Sequence, residues 1–145
     1  MFVKVNGQTA IKYPYSIGEL RRDNPKTSFP SRVPDETLAS YGVFKVQEVS
    51  APAVDPKTQS LVQSAELVDN VWTQVWYPVN LPESQAAKNV RIHRDRLLTE
   101  SDWIVVFNAE KGTNISAEWA SYRQALRDIT AQEGFPHNVT WPVKP

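Results

Sequence analysis

The stretch SLVQSAELVDNVWTQVWYPVNL, residues 60–81, decides what kind of fold this chain builds. Apolar and polar residues alternate on both sides of Asp69-Asn70, the pattern of two half-buried strands around a tight turn. Leu61, Leu67, Val71, Val75 and Tyr77 are the candidate inward positions. Upstream, VFKVQEV (43–49) carries part of the same alternation, and the two prolines of APAVDPKTQ (51–59) interrupt it. Together these segments read as a three-stranded antiparallel meander. Trp72 and Trp76 have the same parity within one strand and therefore project from one sheet face. That face either packs into a core, where aromatics contribute a large buried area, or forms an exposed aromatic ledge for a protein partner.

Toward the N-terminus, FVKVNGQTAIKYPY (2–15) places apolar residues on either side of Asn6-Gly7, a pair that readily adopts positive φ, so a hairpin or tight turn is expected. In YSIGELRRDNP (15–25), Ser16 and Glu19 have the capping-box spacing. This predicts a helix of about two turns that stops before Pro25. Pro25, Pro30 and Pro34 imply an extended surface connection. DETLAS (35–40) then makes one more helical turn, with Gly42 as its C-terminal stop.

Toward the C-terminus the period changes. Pro82 and Glu83 open a helix of about five turns over ESQAAKNVRIHRDRLLTESD (83–102). Ala86, Ala87, Val90, Leu97 and Leu98 share one face, with Ile92 nearly opposite. Arg94 falls inside the apolar sector and His93 at its edge. The Arg94 stem is expected to pack while its guanidinium reaches water or a carboxylate, with recognition of a partner carboxylate as the other reading. The run Ile104–Phe107 in SDWIVVFNAEKGTN (101–114) reads as a short buried strand. Ser116 is the expected N-cap of SAEWASYRQALRDI (116–129), in which Trp119, Tyr122, Leu126 and Ile129 turn inward, while Arg123, Arg127 and Asp128 turn outward. Gly134 ends this helix, and GFPHNVTWPVKP (134–145) reads as an extended tail. Its Trp141 either tucks back on the helices or inserts into a partner.

The fold class expected is α+β: a small N-terminal antiparallel β lobe with short helices over residues 1–80, then a C-terminal helical hairpin with an extended tail over 81–145. Composition narrows the function. The 145 residues are 41% hydrophobic and 22% charged, which suits a folded globular chain. Sixteen basic residues balance sixteen acidic ones, so no net field draws the chain to nucleic acid or to an anionic membrane. Interleaved Arg91, Arg94 and Arg96 could suggest RNA contact, but Glu83, Asp95 and Glu100 dilute the patch. There is no cysteine, which excludes disulfides, thiolate catalysis and cysteine-ligated zinc, and a reducing compartment fits. MFVKVNGQTA has no long apolar run or cleavage site, and no segment approaches the ~18 apolar residues of a membrane span; a soluble, unprocessed chain is expected.

Chemistry-bearing motifs are scarce. His93 and His137 have no metal-binding spacing, and no Walker, dinucleotide or nucleophile-elbow motif is present. Asp95, Glu100 and Asp102 could in principle work as acid and base, yet a solvated helix end accounts for them. Neither an enzyme nor a cofactor is expected.

RIHRDRLLTESDW (91–103) and WASYRQALRDITAQEGFPHNVTWP (119–142) together resemble the C-terminal region of bacteriophage tail assembly chaperones, small proteins associated with tail fibres. The shared pattern is an arginine-rich helix ending in Leu-Leu and Ser-Asp-Trp, a Trp-x-x-Tyr-Arg-x-x-Leu-Arg-Asp helix, and a Phe-Pro-x-x-x-x-Trp-Pro tail. It covers about residues 85–142. Family members commonly follow Ser-Asp-Trp with a polar, proline-containing link, where this chain has Ile104, Val105, Val106 and Phe107. YPYSIGELRRDNPKTSFP (13–30) is similar to the front part of small tail-associated phage proteins.

The resemblance implies a non-enzymatic role in virion morphogenesis. Such a protein would bind a tail fibre or other tail protein in the host cytoplasm during phage assembly and assist its folding and trimerisation. Fibre trimers depend on non-local β pairing, which is slow and leaves edges unpaired meanwhile. Trp72, Trp76, Arg123, Arg127, Phe135 and Trp141, at the lobe junction and tail, are the candidate partner-binding residues, because aromatic and arginine side chains anchor interfaces. The competing expectation is a structural protein retained in the virion tail or at the fibre. Homo-oligomerisation stays open under both.

Overall fold

The computed structural model describes residues 1–145, and the chain divides into two compact units. The first comprises Met1–Ala53 and Leu61–Pro78, and the second Val54–Ser60 and Val79–Pro145. Antiparallel strands and short helices come first in the chain and longer helices follow, an α+β arrangement.

In the first unit, β1 (Phe2–Asn6) and β2 (Thr9–Tyr15) form a hairpin closed by Gly7 and Gln8, with Asn6 opposite Thr9. The short β3 (Val43–Lys45) pairs with the other edge of β1, giving the antiparallel order β2-β1-β3. Both faces of this sheet are covered. Val3 and Val5 point to one side and pack with Val46, Ala65 and Trp72. Phe2, Tyr15 and Val43 point to the other, where Leu20, Val33 and Leu38 meet them. Leu20 comes from α1 (Ile17–Asp23) and Leu38 from α2 (Asp35–Ser40).

Local chemistry sets these elements. The Ser16 Oγ accepts from the Glu19 N–H at 3.2 Å, and the Ser16 N–H donates back to the Glu19 carboxylate at 2.8 Å, so the capping box starts α1. Tyr15 Oη donates to Asp23 at 2.5 Å, tying the last turn of α1 to β2. Gly42 follows α2 with φ +64°, and the Val5 N–H donates to its carbonyl at 2.8 Å. A Cβ at Gly42 would lie 2.7 Å from the Val5 carbonyl oxygen, so only glycine lets β1 approach here.

The second sheet is the hairpin of β4 (Gln59–Val68) and β5 (Val71–Asn80). Its loop is Asp69-Asn70, both residues having positive φ, +47° and +63°. The expected three-stranded meander is not formed. The segment after β3 touches β5 through a single parallel bridge, Gln47 to Thr73, and β3 itself belongs to the other sheet.

The inward set also needs correction. A two-residue loop places Leu67 opposite Trp72, so odd positions of β4 share a face with even positions of β5. Ala65, Trp72 and Gln74 are buried there, with Leu61, Leu67 and Trp76 partly covered, whereas Val71 and Tyr77 stand 47% and 43% exposed on the opposite face with Val62 and Val68. Trp72 and Trp76 do share one face, and that face is the core side.

The second unit is built on α3 (Glu83–Glu100), α4 (Asp102–Glu110) and α5 (Ala117–Arg127), with α5 running into a 3-10 turn at Asp128–Ala131. Three helices stand where a hairpin of two was expected, because Ile104–Phe107 is helical and not a strand. Ala86, Ala87 and Val90 bury one face of α3, and Ile92 opposite them is 58% exposed. Tyr122 and Leu126 bury the facing side of α5, and Ile129 continues that side in the 3-10 turn, whereas Trp119, expected inward with them, is only partly covered. Ser116 caps α5 by accepting from the Trp119 N–H at 3.5 Å.

Beyond the 3-10 turn the chain is not extended at first but turns over Glu133–His137. Gly134 accepts from the Asn138 N–H at 2.7 Å, so close that a Cβ would fall 2.0 Å from the Asn138 carbonyl oxygen. Gln132 then clasps Thr140, donating to its carbonyl at 2.9 Å and accepting from its N–H at 2.7 Å.

The Lys12 ammonium, 2.7 Å from Glu19, and the Ser16 hydroxyl hold the Glu19 carboxyl down at about 2. Stability from this cluster is complete above the ordinary carboxylate range of about 4.3 and is lost as the pH falls toward 2. NMR titration of Glu19 should give a midpoint near 2, and Lys12→Ala should move it upward.

Candidate partner-binding surface

The six residues singled out from the sequence do not form one site: Trp72 and Trp76 lie in the first unit and the other four in the second. Trp72 is 6% exposed at the centre of the apolar cluster and is core. Trp76 is half-buried, and its indole N–H donates to the Val49 carbonyl at 2.8 Å.

Arg123 departs most from expectation. Far from turning outward, its side chain is 14% exposed and closes the junction of α3 and α4. The guanidinium donates to the Leu98 carbonyl at 2.9 Å, to Ser101 Oγ at 2.6 Å and to Asp102 Oδ1 at 2.8 Å. Ser101 is fully buried, and its hydroxyl in turn donates toward the Leu97 and Leu98 carbonyls. The end of α3 leaves carbonyls without helical partners, and a planar guanidinium is well shaped to take one carbonyl, one hydroxyl and one carboxylate together. Arg123 thus holds the bend; it is not free for a partner.

Arg127 is exposed and donates only to Gln124 in its own helix, at 2.7 Å and 3.1 Å. The tail returns to α3: the Trp141 ring meets His93 edge-on at 4.5 Å, and the Arg91 guanidinium sits 5.2 Å from the centre of the Phe135 ring. Both aromatics stay partly exposed. Burial, then the charges of Lys57 and Arg96, depress the His93 pKa, so the ring against Trp141 is neutral near pH 7. Arg94 pairs with Asp95 at 2.7 Å, Arg96 with Glu100 at 3.5 Å, and Asp102 with Arg123. Asp95, Glu100 and Asp102 are therefore each exposed and each beside an arginine.

What the sequence reading missed lies on α4. Of the run Ile104–Phe107, only Ile104 is buried; Val105, Val106 and Phe107 are 39%, 56% and 46% exposed, and Trp103 is 58% exposed. Trp103, Val106 and Phe107 have the i, i+3, i+4 spacing and share one helix face. Phe107 lies 6.4 Å from Trp103, and Trp103 lies 6.5 Å from Trp119 on α5. Two ammonium groups bracket these rings, Lys111 at 4.1 Å from Phe107 and Lys144 at 5.9 Å from Trp119. The result is a continuous ledge of three rings with a cation at each end. Exposed aromatic surface with a charged rim has the composition that protein interfaces favour. The available signal was Trp-x-x-x-Phe at helical spacing directly after the Ser-Asp start.

Comparison with known proteins bears on this same unit. Residues 87–145 match the model of a family described as phage tail assembly chaperone protein. The match runs from Ala87 in α3 through α4, α5 and the tail, about two fifths of the chain. This segment is similar to that family, and the similarity supports a role in phage tail assembly through interaction with tail proteins. The chain matches no curated protein and no solved structure. No helix is long and apolar enough to cross a membrane.

Arg123→Ala should lower the stability of the second unit by about 2–3 kcal/mol, since a charged donor is lost and buried acceptors are left unpaired. Arg127→Ala should change it by less than about 0.5 kcal/mol. Thermal and urea denaturation of the two variants checks the contrast.

Proposed function

We propose that this chain is a tail fibre assembly chaperone: it binds a tail fibre polypeptide in the host cytoplasm, covers apolar surface on it, and assists its folding into the trimer. The observation that carries the reading is the exposed α4 ledge within the segment that matches the chaperone family. An isolated soluble domain gains nothing by holding Trp103, Val106 and Phe107 in water, and aromatic side chains of this type are the usual anchors of an interface. Both rim lysines suit a client segment that is apolar in the middle and acidic at its ends. Arg127 and the exposed edges of Phe135 and Trp141 are further contacts on the same unit, while Arg123 contributes by fixing the bend that presents α4.

The mechanism needs no chemistry, only timing. A fibre chain waiting for two others exposes unpaired strands and apolar faces, which aggregate unless they are covered. A ledge of moderate size binds such a segment reversibly and releases it when trimer contacts, larger and more apolar, replace it.

The test is co-expression with the tail fibre polypeptide followed by pull-down. Trp103→Ala and Phe107→Ala should weaken capture by about thirtyfold, corresponding to about 2 kcal/mol for a hot-spot ring, while shifting the chaperone's own stability by less than about 1 kcal/mol. Unchanged capture by both variants would exclude the α4 ledge. Should mass spectrometry find the chain in purified particles at fixed stoichiometry, with fibres still forming in its absence, a retained structural component is the correct description.

A further inference from the structure

The first unit carries a second feature that no role has yet absorbed. Its two sheets expose four strand edges, and three of them are closed to another strand. The outer edge of β2 contains Lys12 and Pro14, a charge and a missing donor. β3 is only three residues long. On β5, Gln47 already bonds to the edge, donating to the Trp72 carbonyl at 2.8 Å and accepting from the Gln74 N–H at 2.9 Å, and Pro78 lies farther along.

The outer edge of β4 has none of these protections. β4 is ten residues long, has β5 as its one neighbour, and contains neither proline nor lysine nor arginine; Glu66 is its single charge. No backbone hydrogen bond from outside the hairpin reaches residues 60–68. Which groups face outward follows from the pairing. Trp72 and Gln74 turn their peptide groups away from the hairpin toward Gln47, so Leu67 and Ala65 opposite them turn theirs to the free side of β4. By alternation Gln63 and Leu61 do the same.

Two further observations fit a strand at this edge. An open groove of about 400 Å³ runs along Ser64–Leu67, with Gln8, Thr9 and Ala10 as its far wall. On the outer face of the hairpin Val62, Val68, Val71 and Tyr77 are 43–51% exposed, a β-branched and aromatic surface that an added strand would extend and cover.

We infer that β4 is a docking edge for a single extended strand of the partner, which adds to the β4-β5 sheet by main-chain hydrogen bonds to Leu61, Gln63, Ala65 and Leu67. The strand that fits has apolar, preferably β-branched, side chains beside Val62 and Val68 and a basic one opposite Glu66. A lone segment suits the groove better than a second copy, because β4 of a second copy would bring its own Gln8–Ala10 wall into the same space. The identity of the partner as a tail fibre polypeptide rests on the function proposed above; the edge itself does not.

The test uses the full chain purified with the co-expressed tail fibre polypeptide. Site-resolved amide exchange should show Leu61, Gln63, Ala65 and Leu67 slowed on complex formation, with little change at Val62 and Ser64, whose amides already face β5. Leu61→Pro and Gln63→Pro each delete an outward donor and leave the ladder intact, so each should weaken binding about tenfold, the worth of one interfacial hydrogen bond, at a nearly unchanged melting temperature. Val62→Pro, which breaks the ladder, should lower that temperature. If the complex forms while the four amides exchange as in the free chain, the edge is wrong and the chaperone reading stands. If no complex forms, both fall. If the four amides are protected in the chain alone, in step with concentration and a doubled mass, a second copy occupies the edge and the partner strand is overturned.

Discussion

The two-residue turn at Asp69-Asn70 is the constraint on which the first unit depends. Both turn residues take positive φ, which fixes Leu67 against Trp72 and from there every pair in the hairpin. One residue more in that loop would exchange the faces of β5, sending Trp72 into water and Val71 and Tyr77 into the cluster around Val3 and Val5. Burying Trp72 gives the three-stranded sheet its second cover, α1 and α2 being the first. The same register decides which peptide groups of β4 are spent within the hairpin and which are left over.

In the second unit a comparable role belongs to one guanidinium. Two helices that meet at the buried Ser101 leave a carbonyl and a hydroxyl to be satisfied beside the exposed Asp102 carboxylate, and Arg123 reaches all three. With that bend fixed, α4 is committed to a direction in which only Ile104 finds cover. The exposed rings of α4 are therefore the cost of a rigid junction, and a protein that works by offering apolar surface to a client can use such a cost.

Much of this was legible in residue order. The capping box at Ser16 and Glu19, the stop at Gly42, the five-turn α3 and, of the inward set Trp119, Tyr122, Leu126 and Ile129, the last three all rest on local rules that need no distant partner. Errors arose where the deciding contact was distant or where parity crossed a turn. The inward set on β5 failed because alternation was carried through Asp69-Asn70 without re-pairing the strands. Ile104–Phe107 was read as a buried strand because four bulky residues in a row suggest burial; nothing local says that the helix before them would leave three of the four uncovered. Arg123 is polar at an outward wheel position, and only the bend at Ser101, more than twenty residues earlier, turns it into an internal clasp. For the binding surface, the family pattern over the second unit was visible from spaced Trp, Arg and Pro positions, while the ledge itself depended on geometry between α4 and α5.

Gln47 and Pro78 guard one side of the β4-β5 sheet and nothing guards the other. A sheet open on both sides can take up strands indefinitely, which is how fibrils grow. A sheet open on one side can accept a single strand and then presents to the next only whatever edge that strand brings. In polymer terms, a unit that docks a strand on β4 is a chain terminator: it caps one end of a stack and offers no second edge of its own for the stack to grow from.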